Sequence, residues 1–224
     1  MICASFDIGI KNFSFYVEEF DESDFPEIAD IKSLYNPDGT AMEELTPDLN
    51  SIYKNGRVVL LENIDISSSP GDSTLSPQVF VNMTRVLNSH ADTWAGCEFI
   101  VIEQQMMFGK ATNPSAVKLG QHCFSYFSIK YGLDKHIVEF PAYHKTQILG
   151  AAKEFNGVTK TGKPRYKTQS KPKRKKWCTA KALDILLLRG DDSTSTRIKE
   201  MRKKDDVCDV ICQLQSWKII NNYI

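Results

Sequence analysis

Four carboxylates in this chain of 224 residues have the types and placement for metal-ion chemistry. Asp7 stands near the end of an apolar N-terminal run, ICASFDI. Glu103 ends a second run, Phe99-Ile100-Val101-Ile102, which carries no charge. Asp206 and Asp209 are spaced i and i+3, so on a helix both project from one face. Hard divalent cations such as Mg²⁺ take oxygen ligands, and Mg²⁺ usually keeps several waters. Two such ions roughly 3.5–4 Å apart activate water and stabilise the leaving oxygen in phosphodiester cleavage. Each acid alone also has an ordinary explanation. Glu103 is equally readable as a solvated strand end. Asp205, the expected N-cap, and Asp206 and Asp209 after it lie where a helix N-terminus favours acids. Packed carboxylates nevertheless repel one another unless a cation offsets them. The set of four is therefore read as the metal site of a nuclease.

These groups need elements that hold them. The run 99–102, apolar and rich in β-branched residues, predicts a strand buried on both faces. It places Glu103 at the C-terminal edge of the sheet, where ligands of α/β sheets bind. Residues 2–8 predict a first strand, Gly9 and Asn12 a tight turn, and 13–17 a returning strand that puts Asp7 near the hairpin turn. A third strand is predicted at 58–66 and a fifth at 137–140, stopped by Pro141. Pro77 opens a helix, and another spans 114–131 until Gly132 ends it. A short helix at 143–152 carries His144 and Lys145. The helix at 177–188 has Trp177, Ala180, Leu183 and Leu187 as its apolar stripe; 190–196 reads as a loop. The last helix, 205–217, buries Val207, Val210, Ile211, Leu214 and Trp217.

Two stretches fall outside this pattern. Residues 20–57 are acidic and loop-like, with some helix at 42–53. Residues 154–173 are basic, contain glycines and prolines, show no apolar period, and are expected to be mobile. Neither holds a core of its own. The element order predicts an α/β fold, a mixed five-stranded sheet with helices on both faces, formed by one domain, 1–224, with insertions at about 20–57 and 154–173.

Composition narrows the class. Hydrophobic content of 42% and charged content of 25% are those of a soluble globular protein. The formal net charge of zero hides segregation: charges in 18–48 are nearly all acidic and those in 153–176 nearly all basic. Such asymmetry marks one anion-facing side, or else a disordered basic loop with no partner. The six cysteines form no CxxC pair or Cys/His ligand spacing, which predicts reduced thiols, no zinc and an intracellular protein. No apolar stretch is long enough to span a membrane, and Met1 leads directly into a strand, with no signal or transit peptide in view.

The segments FDIGIKN, IEQQMMFGKATNPSAVKLGQ, VEFPAYHKTQILG and DDVCD, in this order, resemble RuvC-type Holliday-junction resolvases of the RNase H-like superfamily. The likeness points to the branch of large cytoplasmic DNA viruses (poxvirus-like) and yeast mitochondria, and covers about half the chain. Its specific part runs from Ile102 to Gln121; the aspartates alone are weak. The resemblance implies an RNase H-like fold and a Mg²⁺-dependent endonuclease that resolves four-way DNA junctions by paired cuts in strands across the junction. It implies Asp7, Glu103, Asp206 and Asp209 as ligands of two Mg²⁺ ions, with Mn²⁺ able to substitute. It places Lys145 and Lys176 at the scissile phosphate, with Lys173, Arg174 and Lys175 competing for the second position. DNA contacts are expected from Met106, Met107, Phe108, Lys110, Lys118, Lys171, Lys173, Arg174 and Lys175. Met106, Met107 or Phe108 is expected to wedge between bases at the crossover, as apolar side chains do at kinked steps; the competing reading makes the triplet core. Junction symmetry implies a homodimer, and the location implied is the cytoplasm, at a viral replication site if the chain is viral.

The chain departs from the compact bacterial pattern in both insertions and in two extra loop residues, which put Met106 where that family has a phenylalanine. Other readings are an RNase H-like nuclease acting on RNA–DNA hybrids or other branched DNA, and a junction- or RNA-binding module without catalysis. An actin-like sugar kinase or ATPase would need glycine-rich phosphate loops, and none is present in suitable context.

Overall fold

The computed structural model describes residues 1–107 and 112–224. In chain order the elements are β1 (Ile2–Asp7), β2 (Phe13–Glu19), α1 (Thr46–Lys54), β3 (Arg57–Ile64), α2 (Pro77–Ser89), α3 (Ala91–Gly96), β4 (Phe99–Gln104), α4 (Pro114–Tyr131), β5 (His136–Pro141), α5 (His144–Gln147), β6 (Glu154–Val158), β7 (Pro164–Lys167), α6 (Lys171–Leu188), α7 (Asp192–Glu200) and α8 (Lys204–Tyr223). The chain falls into two compact units. Met1–Phe20 and Arg57–Ala142 form a sheet unit; Asp21–Gly56 and Tyr143–Ile224 form a helical unit. Among the described residues no helix is long and apolar enough to cross a membrane.

The sheet unit is the expected mixed α/β sheet. Its five strands lie in the order β3-β2-β1-β4-β5. The β1–β2 and β2–β3 pairs are antiparallel; β1–β4 and β4–β5 are parallel. Alternation along the strands sends Ala4, Phe6, Phe13, Phe15, Val17, Ile100 and Ile102 to one face. There they pack with Val79, Met83 and Leu87 of α2, Trp94 of α3, and Leu119, Cys123 and Phe127 of α4. Phe6 is the hub, with the rings of Phe127 and Trp94 at 5.2 and 5.3 Å. Each fully buried side chain of this size contributes about 1.5–3 kcal/mol. The residues that alternate with these, including Cys3, Ser5, Tyr16 and Val101, are buried as well. α4 starts where its caps dictate: Pro114 occupies its first turn and the Asn113 side chain accepts a hydrogen bond from the Ala116 amide. Gly132, at φ +58°, ends it.

The helical unit is organised around α8. Along 206–219 every residue except Asp209 is buried, so the helix is enclosed on all sides. α5, α6 and α7 pack against it, and α1 packs on α6. Two cations close the C-terminal end of α1. Lys218 Nζ donates to the carbonyls of Ile52 (3.2 Å) and Asn55 (2.8 Å), and Arg189 Nε donates to that of Tyr53 (2.6 Å). These are the carbonyls a helix leaves unpaired, at the negative end of its dipole. The acidic segment is thereby built into this unit.

Several expectations fail here for identifiable reasons. The basic stretch 154–173 is not a mobile coil: it forms the β6–β7 hairpin and leads into α6 at Lys171. Pro172 in the first turn is the start signal, which puts α6 six residues before the expected 177. The buried face of α6 is Cys178, Ala182, Ile185 and Leu186, whereas Leu187 of the expected stripe is 68% exposed. Small residues let α6 and α8 approach closely, and Cys212 Sγ donates to the Cys178 carbonyl at 3.4 Å. The expected loop at 190–196 is largely α7, capped by the Asp191 side chain accepting from the Thr194 amide at 3.0 Å. α5 is shorter than expected. The N-cap of α8 is Lys203, not Asp205, which lies inside the first turn and is engaged by a lysine. All six cysteines are buried and none forms a disulfide among the described residues.

Candidate active site

In the sheet unit, Asp7 is the last residue of β1 and pairs with Ser14 of β2. The parallel register Phe6↔Ile102 leaves Asp7 and Glu103 as the next residues along two adjacent strands. Because Phe6 and Ile102 point into the α2–α4 core, Asp7 and Glu103 both point to the opposite face of the sheet. Neighbouring strands are about 4.8 Å apart, so two half-buried carboxylates share one edge. The turn after Asp7 requires its glycine: a Cβ on Gly9 would lie 2.9 Å from the Asn12 carbonyl oxygen. After Glu103 the chain is latched locally, with Gln105 Nε2 donating to the Glu103 carbonyl at 3.2 Å. Gly120 on α4 faces Gln105, where a Cβ would make ordinary contact with Cγ at 3.5 Å. Met106 and Met107 are 60% and 63% exposed, which removes them from the core. Lys118 is exposed on α4. Phe108 and Lys110 lie outside the described residues.

In the helical unit, the start of α8 meets two lysines from two other elements. Lys145 of α5 is almost wholly buried, its Nζ 3.6 Å from Asp209 Oδ2. Lys175 of α6 hydrogen-bonds Asp205 and lies 3.4 Å from Asp206 Oδ1. Burial works against the charge on Lys175, but the bond to Asp205 and the charges of Asp206, Asp205 and Asp209 outweigh it and hold its pKa above the ordinary value. Burial likewise opposes Asp205, yet its hydrogen bond to Lys175 and that lysine's charge pull its carboxyl below the usual range. Asp206 goes the other way. Burial raises it, and the charge of Lys175 only partly counters this. Its Oδ2 is buried with no hydrogen-bond partner among the described residues.

Lys176, by contrast, is exposed, as are Lys171 and Lys173; Arg174 is half-buried. Lys173 Nζ pairs with Glu154 of β6 at 2.7 Å. The lysine set against the acids is thus Lys175. The signal for it was present: Lys175 lies three residues before Cys178 and seven before Ala182, on the buried face of α6. Reading it required starting the helix at Pro172. In neither unit do three or more of His, Cys, Asp and Glu among the described residues gather into a group that could hold a metal ion. The donors nevertheless suit a hard divalent cation, being carboxylates alone, and the orphaned, desolvated Oδ2 of Asp206 is an oxygen that such an ion would satisfy.

No family model matches the chain. Solved structures with the same fold are the fowlpox virus resolvase in complex with substrate Holliday junction DNA and RuvC of Thermus thermophilus. The first is 14% identical with a TM-score of 0.57, covering 99% of both chains. The second is 13% identical with a TM-score of 0.54, covering 99% of this chain and 96% of the other. The fold is that of RuvC-type Holliday-junction resolvases. Sequence relatives come from iridescent viruses. Uncharacterized protein 170L of Invertebrate iridescent virus 6 is 33% identical over 235 residues, covering 96% of this chain and 87% of the relative. Uncharacterized protein 97L of Invertebrate iridescent virus 3 is 29% identical, covering 96% and 98%. The chain belongs to the family of the 170L protein.

Proposed function

We propose that this protein is a structure-selective endonuclease that resolves four-way DNA junctions by paired, metal-dependent phosphodiester hydrolysis, acting as a homodimer. The observation that carries this reading is the placement of Asp7 and Glu103 at the ends of adjacent parallel strands, side chains on one sheet face, in a fold shared with junction resolvases. Asp7, Glu103, Asp206 and Asp209 would hold Mg²⁺, or Mn²⁺ in its place, two ions per site. Bound there, such ions supply an activated water and charge stabilisation for the leaving oxygen.

The chain's own residues account for the remainder. Lys145 and Lys175 carry positive charge to the acids from α5 and α6, which suits them to hold a scissile phosphate. Lys175, rather than the exposed Lys176, takes the second scissile-phosphate position in this proposal. Met106 and Met107, exposed three and four residues after Glu103, suit a wedge between bases at the crossover, where stacking is already broken. Exposed Lys118, Lys171 and Lys173, with Arg174, are assigned to phosphates.

The test is to incubate the protein with a labelled mobile four-way junction, an RNA–DNA hybrid and a plain duplex, with and without Mg²⁺. The reading expects paired nicks in the junction in Mg²⁺ alone. Cutting of the hybrid with the junction left intact would replace it with a general RNase H activity. Junction binding without cutting in any divalent cation would make the chain a binding module.

A further inference from the structure

The β6–β7 hairpin is unlike the rest of the helical unit. Its two strands form their own sheet, and neither is a strand of the five-stranded one. A lone hairpin of this kind is marginally stable in water, so its base is fastened. Gln169 Nε2 donates to the Ala152 carbonyl at 2.6 Å, and the Lys153 amide donates to that of Asp38 at 2.7 Å. Glu154 takes Lys173 at 2.7 Å and Lys167 at 3.8 Å. Beyond the base nothing comparable among the described residues holds it, and the strands present side chains to solvent.

Those side chains are sorted by face. Phe155 pairs with Tyr166 and Val158 with Pro164, and a register shift between Phe155 and Val158 brings all four to one side of the ribbon. Phe155 and Val158 are 63% and 60% exposed, a large apolar surface left in water with no core to serve. The Phe155 and Tyr166 rings meet edge to face with centroids 6.2 Å apart, which stiffens this face. The turn carries Lys160 and Lys163, both exposed, and Arg165 follows on the other face. Glu154, the acid of the ribbon, is already neutralised at the base. The turn is shaped rather than slack: the Thr159 amide donates to the Lys163 carbonyl at 2.7 Å, and Thr159 Oγ1 accepts from the Lys163 amide at 3.0 Å.

We propose that the β6–β7 ribbon is a second DNA-binding element, which enters the major groove of a duplex arm with its Phe155–Val158–Tyr166 face toward the base edges and Lys160, Lys163 and Arg165 on phosphates. The major groove, about 12 Å wide, admits a two-stranded ribbon and offers thymine methyls to apolar side chains. Charge complementarity points to a polyanion as the occupant, since pairing with the ribbon of a second copy would bring the same cations against these. Lys173, at the ribbon's base, and Lys175, on the acids, lie on the same first turns of α6, so a groove-bound ribbon would orient the lysine that faces Asp206. The proposal rests on the nuclease reading for its junction arm, but groove entry itself predicts binding to any duplex.

The experiment uses the full chain carrying Lys160→Gln, Lys163→Gln and Arg165→Gln together, which touches no core residue. Binding to a plain duplex is measured by fluorescence anisotropy across a salt series, alongside wild type. Three lost phosphate contacts should lower the slope of log K against log salt by roughly 2.7 and weaken binding at low salt. A photo-crosslinking residue at Val158 in the otherwise wild-type chain should label duplex bases, a readout that survives if the triple variant misfolds. Wild-type affinity and slope in a folded triple variant, no duplex binding by wild type, or crosslinks to protein alone would overturn the proposal. The two readings can fail separately. Loss of duplex binding in the variant, with wild type cutting no junction, would keep the ribbon and end the nuclease assignment. Junction cutting by wild type with an unaltered slope in the variant would do the reverse.

Discussion

Asp206 and Lys175 show how stability and function pull apart at single residues. A carboxyl whose folded pKa is raised above the unfolded value costs the fold stability once pH rises through that range, because the unfolded chain ionises more readily. Asp206→Asn should therefore leave stability at neutral pH unchanged or higher, within about 1 kcal/mol, in thermal melts without metal. The proposed Mg²⁺ site predicts that wild type gains melting temperature in Mg²⁺ through binding to the native state, and that the same variant loses this gain. A marked loss of stability without metal would contradict a desolvated carboxylate whose Oδ2 is orphaned. Asp205 has the opposite sign: its depressed pKa gives stability that is present above the usual carboxylate range and lost as pH falls through the folded value. That stability depends on Lys175. Lys175→Ala should cost about 1 kcal/mol, a figure reduced by the partial exposure of the pair, and should flatten this acid limb. Lys176→Ala should stay within about 0.5 kcal/mol and leave the limb intact. Equal effects of the two substitutions in a pH-dependent urea series would remove Lys175 from its assigned place.

At the scale of elements, α8 depends on a group that its sequence pattern hides. Lys218 lies within a run of buried residues, and its charge is spent on the carbonyl end of α1. Lys218→Met would keep the hydrophobic stem but leave the Ile52 and Asn55 carbonyls without this donor. At about 1.5–3 kcal/mol for a hydrogen bond to a charged group, the expected loss is about 3 kcal/mol by urea denaturation. A loss under about 0.5 kcal/mol would show that water replaces the ammonium there. Elements that announce themselves were legible in the sequence: β4 by its chargeless β-branched run, and α4 by Pro114 and Gly132. α7 was not, because one buried aliphatic, Ile198, is too little periodicity to read and its start is marked only by Asp191 and Thr194. The ribbon was hidden by its own turn residues, since the glycines and prolines that shape a hairpin are also those of a flexible linker.

For the whole molecule, the mixed sheet followed from the alternation of strands and helices, with Asp7 and Glu103 legible near strand ends, whereas the order β3-β2-β1-β4-β5 came from the structure. Which lysine meets the acids of α8 was not legible without the helix start, and the engagement of Asp205 by Lys175 links segments 30 residues apart. The 20–57 segment illustrates the same limit. It reads as a loop-like insertion with some helix at 42–53, and that helix is α1, but its packing on α6 and its capping by Arg189 and Lys218 come from far along the chain. The proposed metal-dependent nuclease activity rests on Asp7 and Glu103, the two carboxylates of the sheet edge. Its most direct test is cleavage of a mobile four-way junction, end-labelled in turn on each strand, by wild type and by Asp7→Asn and Glu103→Gln. Junction binding is measured in parallel with Ca²⁺ in place of Mg²⁺. The account predicts symmetrically placed nicks in opposing strands with Mg²⁺ for wild type, with cutting in either variant reduced by more than the 10–100-fold typical of residues that merely support a metal ligand, and binding retained in Ca²⁺. Cutting at wild-type rates in either variant, or a wild type that binds the junction and never nicks it, would contradict it.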